Sequence, residues 1–438
     1  MKMLRRNIIV IGSVLFIFII VLIYLRTSSD MYDRYNTETV KIFFADNISS
    51  AHQELIYRFN QENSEEIEVI PIHLPFSKFS TNERKELLAR TLRSKSNRID
   101  VFAVDVIWVP RFARWCEPLD SYLDDDKIDQ IIPKALKSCY FNNRLYALPF
   151  YIDVSMMYYR RDLIRKLPDA DLIEKKLKAS MTWQEFIRLS ERFNKPNSLF
   201  YLFAADSFEG LMCSFLEGIQ SLNGKIFKGD SIRFDTPAAR RSLQLLVDLV
   251  HQDKISPLII TKFDEYQCYL YALKHDGVFF RGWPGYLVHH KPSASERNKF
   301  DSLEIAALPH FGEGRKAFII GGWNLMISKY STKKEAAAKF LKFLLEERNQ
   351  KILYEIGGYL PVLKEIYADS SFVKRKKYLQ LYARLLAKGV HRPYFVNYTK
   401  ISDILSYYLN LAIKGEMSVD GALKKATEDV NTNQMLIK

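Results

Sequence analysis

The sequence predicts an α/β fold, and three observations carry the prediction. Apolar strand-like runs alternate with amphipathic helical runs: Val40–Ala45, then 51–63, then 67–74, then 81–95, then 100–107. Helix-start chemistry recurs at the expected places, as at Thr182 with Glu185 three residues on, and at Pro237 inside Asp235–Pro237. The chain is 438 residues long with 48% hydrophobic and 13% aromatic residues, enough for two or three packed domains.

The elements follow in order. Val40–Ala45 is a buried strand closed by Asp46-Asn47. Residues 51–63 form a helix with Leu55, Ile56 and Phe59 on one face. Residues 67–74 form a strand interrupted by Pro71 and Pro75, and 81–95 a charged helix with Leu87, Leu88 and Leu92 inward. Residues 100–107 form an apolar strand, so helices are expected on both faces of the sheet. Further on come a strand at 200–205, helices at 208–223 and 235–251, a strand end at 276–286 and a strand at 303–309 that should cross between domains. A strand at 317–328, a helix at 333–347 and closing helices at 399–414 and 418–431 complete the chain.

The first 26 residues have another character. Lys2, Arg5 and Arg6 precede an apolar run, Ile8–Leu25, broken only by Gly12 and Ser13. Eighteen residues at helical rise reach about 27 Å, a bilayer core. No small-residue cleavage site and no cysteine follow the run, so it reads as a transmembrane signal anchor rather than a cleaved leader or a lipoprotein. The flanking charges put the soluble body in the periplasm or at the cell exterior.

The net charge is +13, but Lys and Arg are dispersed and the one dense run is 374–377. That pattern suits a solvated face or one near anionic lipid; no nucleic-acid-binding motif accompanies it. Cys116, Cys139, Cys213 and Cys268 match no metal or redox spacing; they are either four thiols or include a pair such as Cys116–Cys139. Asp124-Asp125-Asp126 reads as a solvated turn, and no metal or cofactor motif is found. There is no G-x-S-x-G, H-E-x-x-H or P-loop.

Residues 145–162, LYALPFYIDVSMMYYRRD, carry the chemistry of most interest. Tyr151 and Asp153 are two apart in an extended run and so share a side. An aromatic ring and a carboxylate together suit a polyhydroxylated ligand. A crossover strand with one buried tyrosine is the plainer alternative.

This stretch resembles the segment that crosses between the lobes of extracellular solute-binding proteins of sugar ABC transporters, the maltose/trehalose-binding type. Three further segments resemble the same family: DVFAVDVIW with EPLD at 100–120, AFIIGGWNLMIS at 317–328 with the helix after it, and GGYLPV at 357–362. The resemblance spans about 40–438 and implies a two-lobed periplasmic-binding-protein-like (type II) fold with hinge crossings, to which the apolar run adds one N-terminal transmembrane helix. With the anchor at 1–26 and a polar linker at 27–39 read from composition, the expected division is a first lobe at 40–150 with 306–350 and a second at 151–305 with 351–438. Asp105 and Asp153 would accept ligand hydroxyls, while Tyr151, Trp283 and Trp323 would stack on ring faces. Gly322 would offer backbone close to the ligand, or form a strand bulge. Arg392 would donate to ligand oxygens or pair with a site carboxylate, and Arg84 is a further candidate. Cys116 departs from the glycine common in relatives.

The function implied is capture of a carbohydrate and delivery to the permease subunits of an ABC importer, without catalysis. The alternative is a ligand-sensing subunit working through a membrane sensor partner. A glycan-active enzyme using Asp105 and Asp153 as an acid–base pair is the third reading.

Overall fold

The computed structural model describes residues 39–432 other than 76–77, 80, 194–198 and 229–230, together with the isolated Ile19. The expected anchor, apart from Ile19, and tether residues 27–38 lie outside the described residues. Among the described residues, no helix is long and apolar enough to cross a membrane.

Two β-sheets organise the chain into two lobes. The first sheet contains β1 (Val40–Asp46), β2 (Ile67–His73), β3 (Val101–Asp105) and β4 (Leu148–Val154). The second is built from β5 (Met156–Arg160), β6 (Tyr201–Leu202), β7 (Phe279–Gly282) and β8 (Leu303–Ala306). The chain then returns to the first sheet through β9 (Phe318–Ile327) and β10 (Gly389–His391). The order in the first sheet is β10-β9-β3-β1-β2, with β4 also paired to β9; in the second it is β8-β5-β7-β6.

The helices that frame the site are α1 (Ser50–Glu62), α2 (Thr81–Arg93), α3 (Glu209–Ser221), α4 (Pro237–His251), α5 (Glu265–Lys274), α6 (Lys334–Leu344), α7 (Glu347–Gly357), α8 (Tyr398–Lys414) and α9 (Val419–Asn431). Their starts follow capping chemistry. The Thr236 hydroxyl accepts from the Ala239 N–H ahead of α4, and the Asp264 carboxylate from the Gln267 N–H ahead of α5. The expected capping box at Thr182 and Glu185 is formed. Helices α1 and α6 pack on the first sheet and α7 on α1; α5 packs on the second sheet, α8 on α3, α4 and α9, and α9 also on α4.

Ser155 joins the lobes. Its N–H donates to the Ile319 carbonyl at 2.9 Å, and its Oγ accepts from the Ile319 N–H at 2.8 Å. Two crossing segments are thereby held side by side, and the serine is fully buried.

Several sequence expectations shift. β2 runs through Pro71 without a break, because it is the edge of its sheet and a missing N–H is harmless there. Leu87 is exposed while Arg84 and Lys85 are buried, because the inward face of α2 carries Arg84, Lys85, Leu88, Ala89 and Leu92, and at about 100° per residue Leu87 falls outside that arc. The strand 303–309 is shorter and pairs with β5 inside the second sheet; β9 makes the return instead. All four cysteines are free and buried.

Candidate ligand-binding site

The register of β9 decides what meets at the junction of the lobes. Trp323 stands opposite Asp105 on β3 and opposite Tyr151 on β4, while Gly321 stands opposite Asp153. Asp105 ends a strand parallel to β1, and Asp46 ends β1, so both carboxylates lie at the carboxyl edge of the sheet, where α/β folds place ligands.

On the first lobe, Trp323 is only 8% exposed. Its ring meets Trp108 edge-on at 5.5 Å, and the Arg84 guanidinium lies 4.4 Å from its centroid. Arg84 is fully buried and donates to Asp46 Oδ1 at 2.8 Å; His52 Nε2 stands 3.2 Å from Asp46 Oδ2. Burial works to raise the Asp46 carboxyl, but His52 and Arg84 outweigh it and hold the group below its usual range. Tyr151 stacks on Tyr359, ring centroids 4.3 Å apart, and burial pushes its phenol well above the usual value.

Asp153 differs from these. It is half-buried, and among the described residues its carboxylate has no hydrogen-bond or ion-pair partner. Burial, and then repulsion from Asp105, push it up to about 7. Across from it stands Trp283 of the second lobe: a β-carbon on Gly321 would lie 3.0 Å from that ring's edge and 3.4 Å from the β-carbon of Asp153. Trp283 is held by its Nε1–H to Glu265 at 3.0 Å and by the Arg281 guanidinium 4.8 Å from its ring centre.

Arg392 ties the two halves together. It donates to Asp105 Oδ1 at 2.7 Å and to Glu209 Oε1 at 2.8 Å, and is 3% exposed. Glu209, the first residue of α3, also accepts from the Tyr398 hydroxyl at 2.9 Å and from Ser402. Burial raises its carboxyl even against the pull of Arg392.

Of the sequence-predicted residues, Asp105, Tyr151, Asp153, Trp283, Trp323, Arg392 and Arg84 converge on this junction. Of the two roles open to Arg392, pairing with a site carboxylate is the one it occupies. Gly322 faces the neighbouring strand: at φ +126, a β-carbon there would lie 2.5 Å from the Tyr151 carbonyl oxygen. The bulge in β9, between Trp323 and Asn324, follows directly. Sequence reasoning missed Asp46, His52, Glu209, Glu265 and Tyr359. Asp46 alone carried a signal, as the carboxylate closing the first strand. No group of His, Cys, Asp and Glu able to hold a metal occurs among the described residues.

The lobes also touch at the rim. A β-carbon on Gly358, the cap of α7, would lie 2.7 Å from the α-carbon of Gly285. His289 and Tyr359 meet there at 4.9 Å. At another edge, Asn82 donates to Asp403 at 3.2 Å. The junction therefore brings acceptor groups and aromatic surfaces of the two lobes together.

Comparison with known proteins follows the same outline. The profile of the bacterial extracellular solute-binding protein family matches residues 45–351. A probable ABC transporter-binding protein of Deinococcus radiodurans is 25% identical over 350 residues, 78% of this chain and 82% of its own. The structure of maltose-bound MalE3 from T. maritima aligns with a TM-score of 0.79 at 26% identity, over 90% of this chain and all (100%) of its own. An ABC transporter solute-binding protein of Thermotoga lettingae, bound with alpha-D-tagatose, aligns at 0.76 and 21% identity, over 90% of this chain and 99% of its own.

Proposed function

The chain belongs to the bacterial extracellular solute-binding proteins, and from that premise we propose that it captures a carbohydrate between its two lobes and delivers it to an ABC importer. The observation that carries the carbohydrate assignment is Asp153. Among the described residues its carboxylate has no hydrogen-bond or ion-pair partner, and it lies beside Asp105 and the ring edge of Trp283. A ligand hydroxyl would satisfy it, and a sugar ring presents such hydroxyls around an apolar face that indole and phenol rings cover. A ligand without the matching hydroxyl leaves the acid unpaired, which makes the interaction selective.

The assignment of Asp105, Tyr151, Asp153, Trp283, Trp323, Arg392 and Arg84 to this site is part of the proposal. Arg84 and Arg392 serve by holding Trp323 and Asp105 in place, and Gly322 by letting β9 approach β4. The apolar run Ile8–Leu25 supports tethering of the body to the membrane. Ser155 and β9 support lobe boundaries near 155 and 318 in place of 151 and 306, and the pairing of β10 with β9 supports keeping 351–391 with the first lobe, so that the third crossing follows β10 rather than falling at 351.

The test is thermal unfolding of the full chain, in a detergent without a sugar headgroup, against a panel of mono- and oligosaccharides. A ligand at a hundred times its dissociation constant adds about 2.7 kcal/mol to the folded state. A shift that disappears in Asp153→Ala and in Trp283→Ala supports the proposal. No shift with any sugar, alongside a shift with amino acids or polyamines, would sink the carbohydrate reading.

A further inference from the structure

Trp283 is held more tightly than a ring that merely fills space. Its indole N–H donates to Glu265 Oε1 at 3.0 Å, its backbone N–H to the Tyr269 hydroxyl at 3.1 Å, and its carbonyl accepts from the Tyr158 hydroxyl at 2.6 Å. The Arg281 guanidinium lies over the ring. What remains faces Gly321 and Asp153 across the junction.

Within this set, Glu265 stands apart. Arg281, fully buried, makes a two-pronged bond to Glu217 through Nε and Nη2, at 3.1 and 2.7 Å, while its Nη1 stands 3.7 Å from Glu265, beyond hydrogen-bond reach. The short bond of Glu265 goes to the indole instead. The neighbouring helix leaves space for that carboxylate: a β-carbon on Gly210 would lie 2.7 Å from Glu265 Oε1. Glu265 is also the first residue of α5, where the helix dipole favours a negative charge. A half-buried carboxylate at a helix start, with room made for it and its bond aimed at one indole, sets the tilt of that indole.

We propose that Glu265 is a positioning residue for the ligand site: its carboxylate fixes the Trp283 ring, through the indole N–H, in the orientation that presents it beside Asp153. The proposal rests on the reading of this junction as the carbohydrate site. It adds a residue whose action is indirect, since Glu265 reaches the ligand only through Trp283. Pre-setting the ring in the empty protein spares binding the entropy of ordering it.

The experiment compares Glu265→Leu with Glu265→Gln in the full chain. The amide keeps an acceptor in the same place; the leucine removes it. The first readout is the Trp283 indole N–H resonance in ¹⁵N-tryptophan-labelled, unliganded protein, assigned with Trp283→Phe. Glu265→Leu should shift and broaden it, and Glu265→Gln should keep it sharp. The second is maltose affinity by calorimetry, expected to fall about tenfold in Glu265→Leu, the scale of one hydrogen bond, and to be restored in Glu265→Gln. In a Trp283→Phe background, which has no N–H to hold, Glu265→Leu should cost no further affinity. An unchanged indole resonance in Glu265→Leu overturns the proposal. So does an equal loss of affinity in the Trp283→Phe background, which would mark a merely structural role. If maltose fails to bind the unmodified protein, the sugar reading suffers, while the indole resonance still decides whether Glu265 sets the ring.

Discussion

Arg392 and Asp105 form a 2.7 Å ion pair between a segment that follows the last strand and the end of the third. The same guanidinium reaches Glu209 at 2.8 Å, so one cation serves two half-buried carboxylates. Removing it would leave both uncompensated. Arg392→Met should therefore destabilise the protein by about 3–5 kcal/mol in denaturant titrations at pH 8. The loss should shrink at pH 5, where Glu209, whose carboxyl burial raises, can take up a proton. Arg392→Met combined with Glu209→Gln should recover part of it; a double variant no better than the single one would refute the account.

This pair also marks where sequence reading ends. The strand Leu148–Val154 is legible because apolar residues continue through it up to an isolated carboxylate, and helix starts are legible because a cap and its partner lie three residues apart. Asp105 and Asp153 stand out as acids at the ends of apolar strands. Glu209 does not: it opens an ordinary helix, and its partner Arg392 lies 183 positions away. Glu265 and Tyr359 are equally silent, since what singles them out is Trp283 in one case and Tyr151 in the other. Arg84 sits in a helix crowded with charge, and only the packing of α2 against Trp323 distinguishes it from its neighbours. Local periodicity encodes faces and caps; pairings set by the sheet register have no local mark.

Asp153 should give the protein a particular pH dependence. Its carboxyl titrates near 7 in the folded protein against 3.8 ordinarily, so the folded state holds a proton that the unfolded chain has lost. Stability from this group is intact below about pH 4 and declines as pH rises toward 7, by an amount on the order of a few kcal/mol. Asp153→Asn should remove that slope and raise the unfolding midpoint at pH 8. The carboxylate is the form that accepts ligand hydroxyls, so sugar binding should tighten from pH 6 to pH 8 and release a proton. Calorimetry in buffers of different ionisation enthalpy measures that release. Equal slopes in the unmodified protein and Asp153→Asn would contradict the assignment.

Gly322 should tolerate no side chain. At φ +126, with the Tyr151 carbonyl oxygen 2.5 Å from where a β-carbon would stand, alanine is strained and also collides with backbone that cannot move aside. Gly322→Ala should cost about 3 kcal/mol or more, read from chemical unfolding. Gly312, by contrast, would bring a β-carbon no closer than 3.6 Å to any neighbour, and Gly312→Ala should be nearly neutral. Similar losses at both positions would mean that the approach of β9 to β4 is not what requires the glycine.

Gly358 should control closure rather than folding. It caps α7 in the left-handed region at φ +64, where asparagine is tolerated at modest strain. Any β-carbon there would lie 2.7 Å from the α-carbon of Gly285 and 3.1 Å from Val288. Gly285 opens the short helix Tyr286–His289, which the packing of Tyr286 on Tyr269 holds to the second lobe. Gly358→Asn should thus leave the unfolding midpoint within about 1 kcal/mol of the unmodified protein, yet hold the lobes apart. Small-angle scattering with a saturating sugar should show a larger radius of gyration for the variant. Its sugar affinity should fall about tenfold, because the clash penalises the closed state alone and the ligand binds that state best. A variant that closes as tightly as the unmodified protein would show that the two glycines meet without limiting the approach of the lobes.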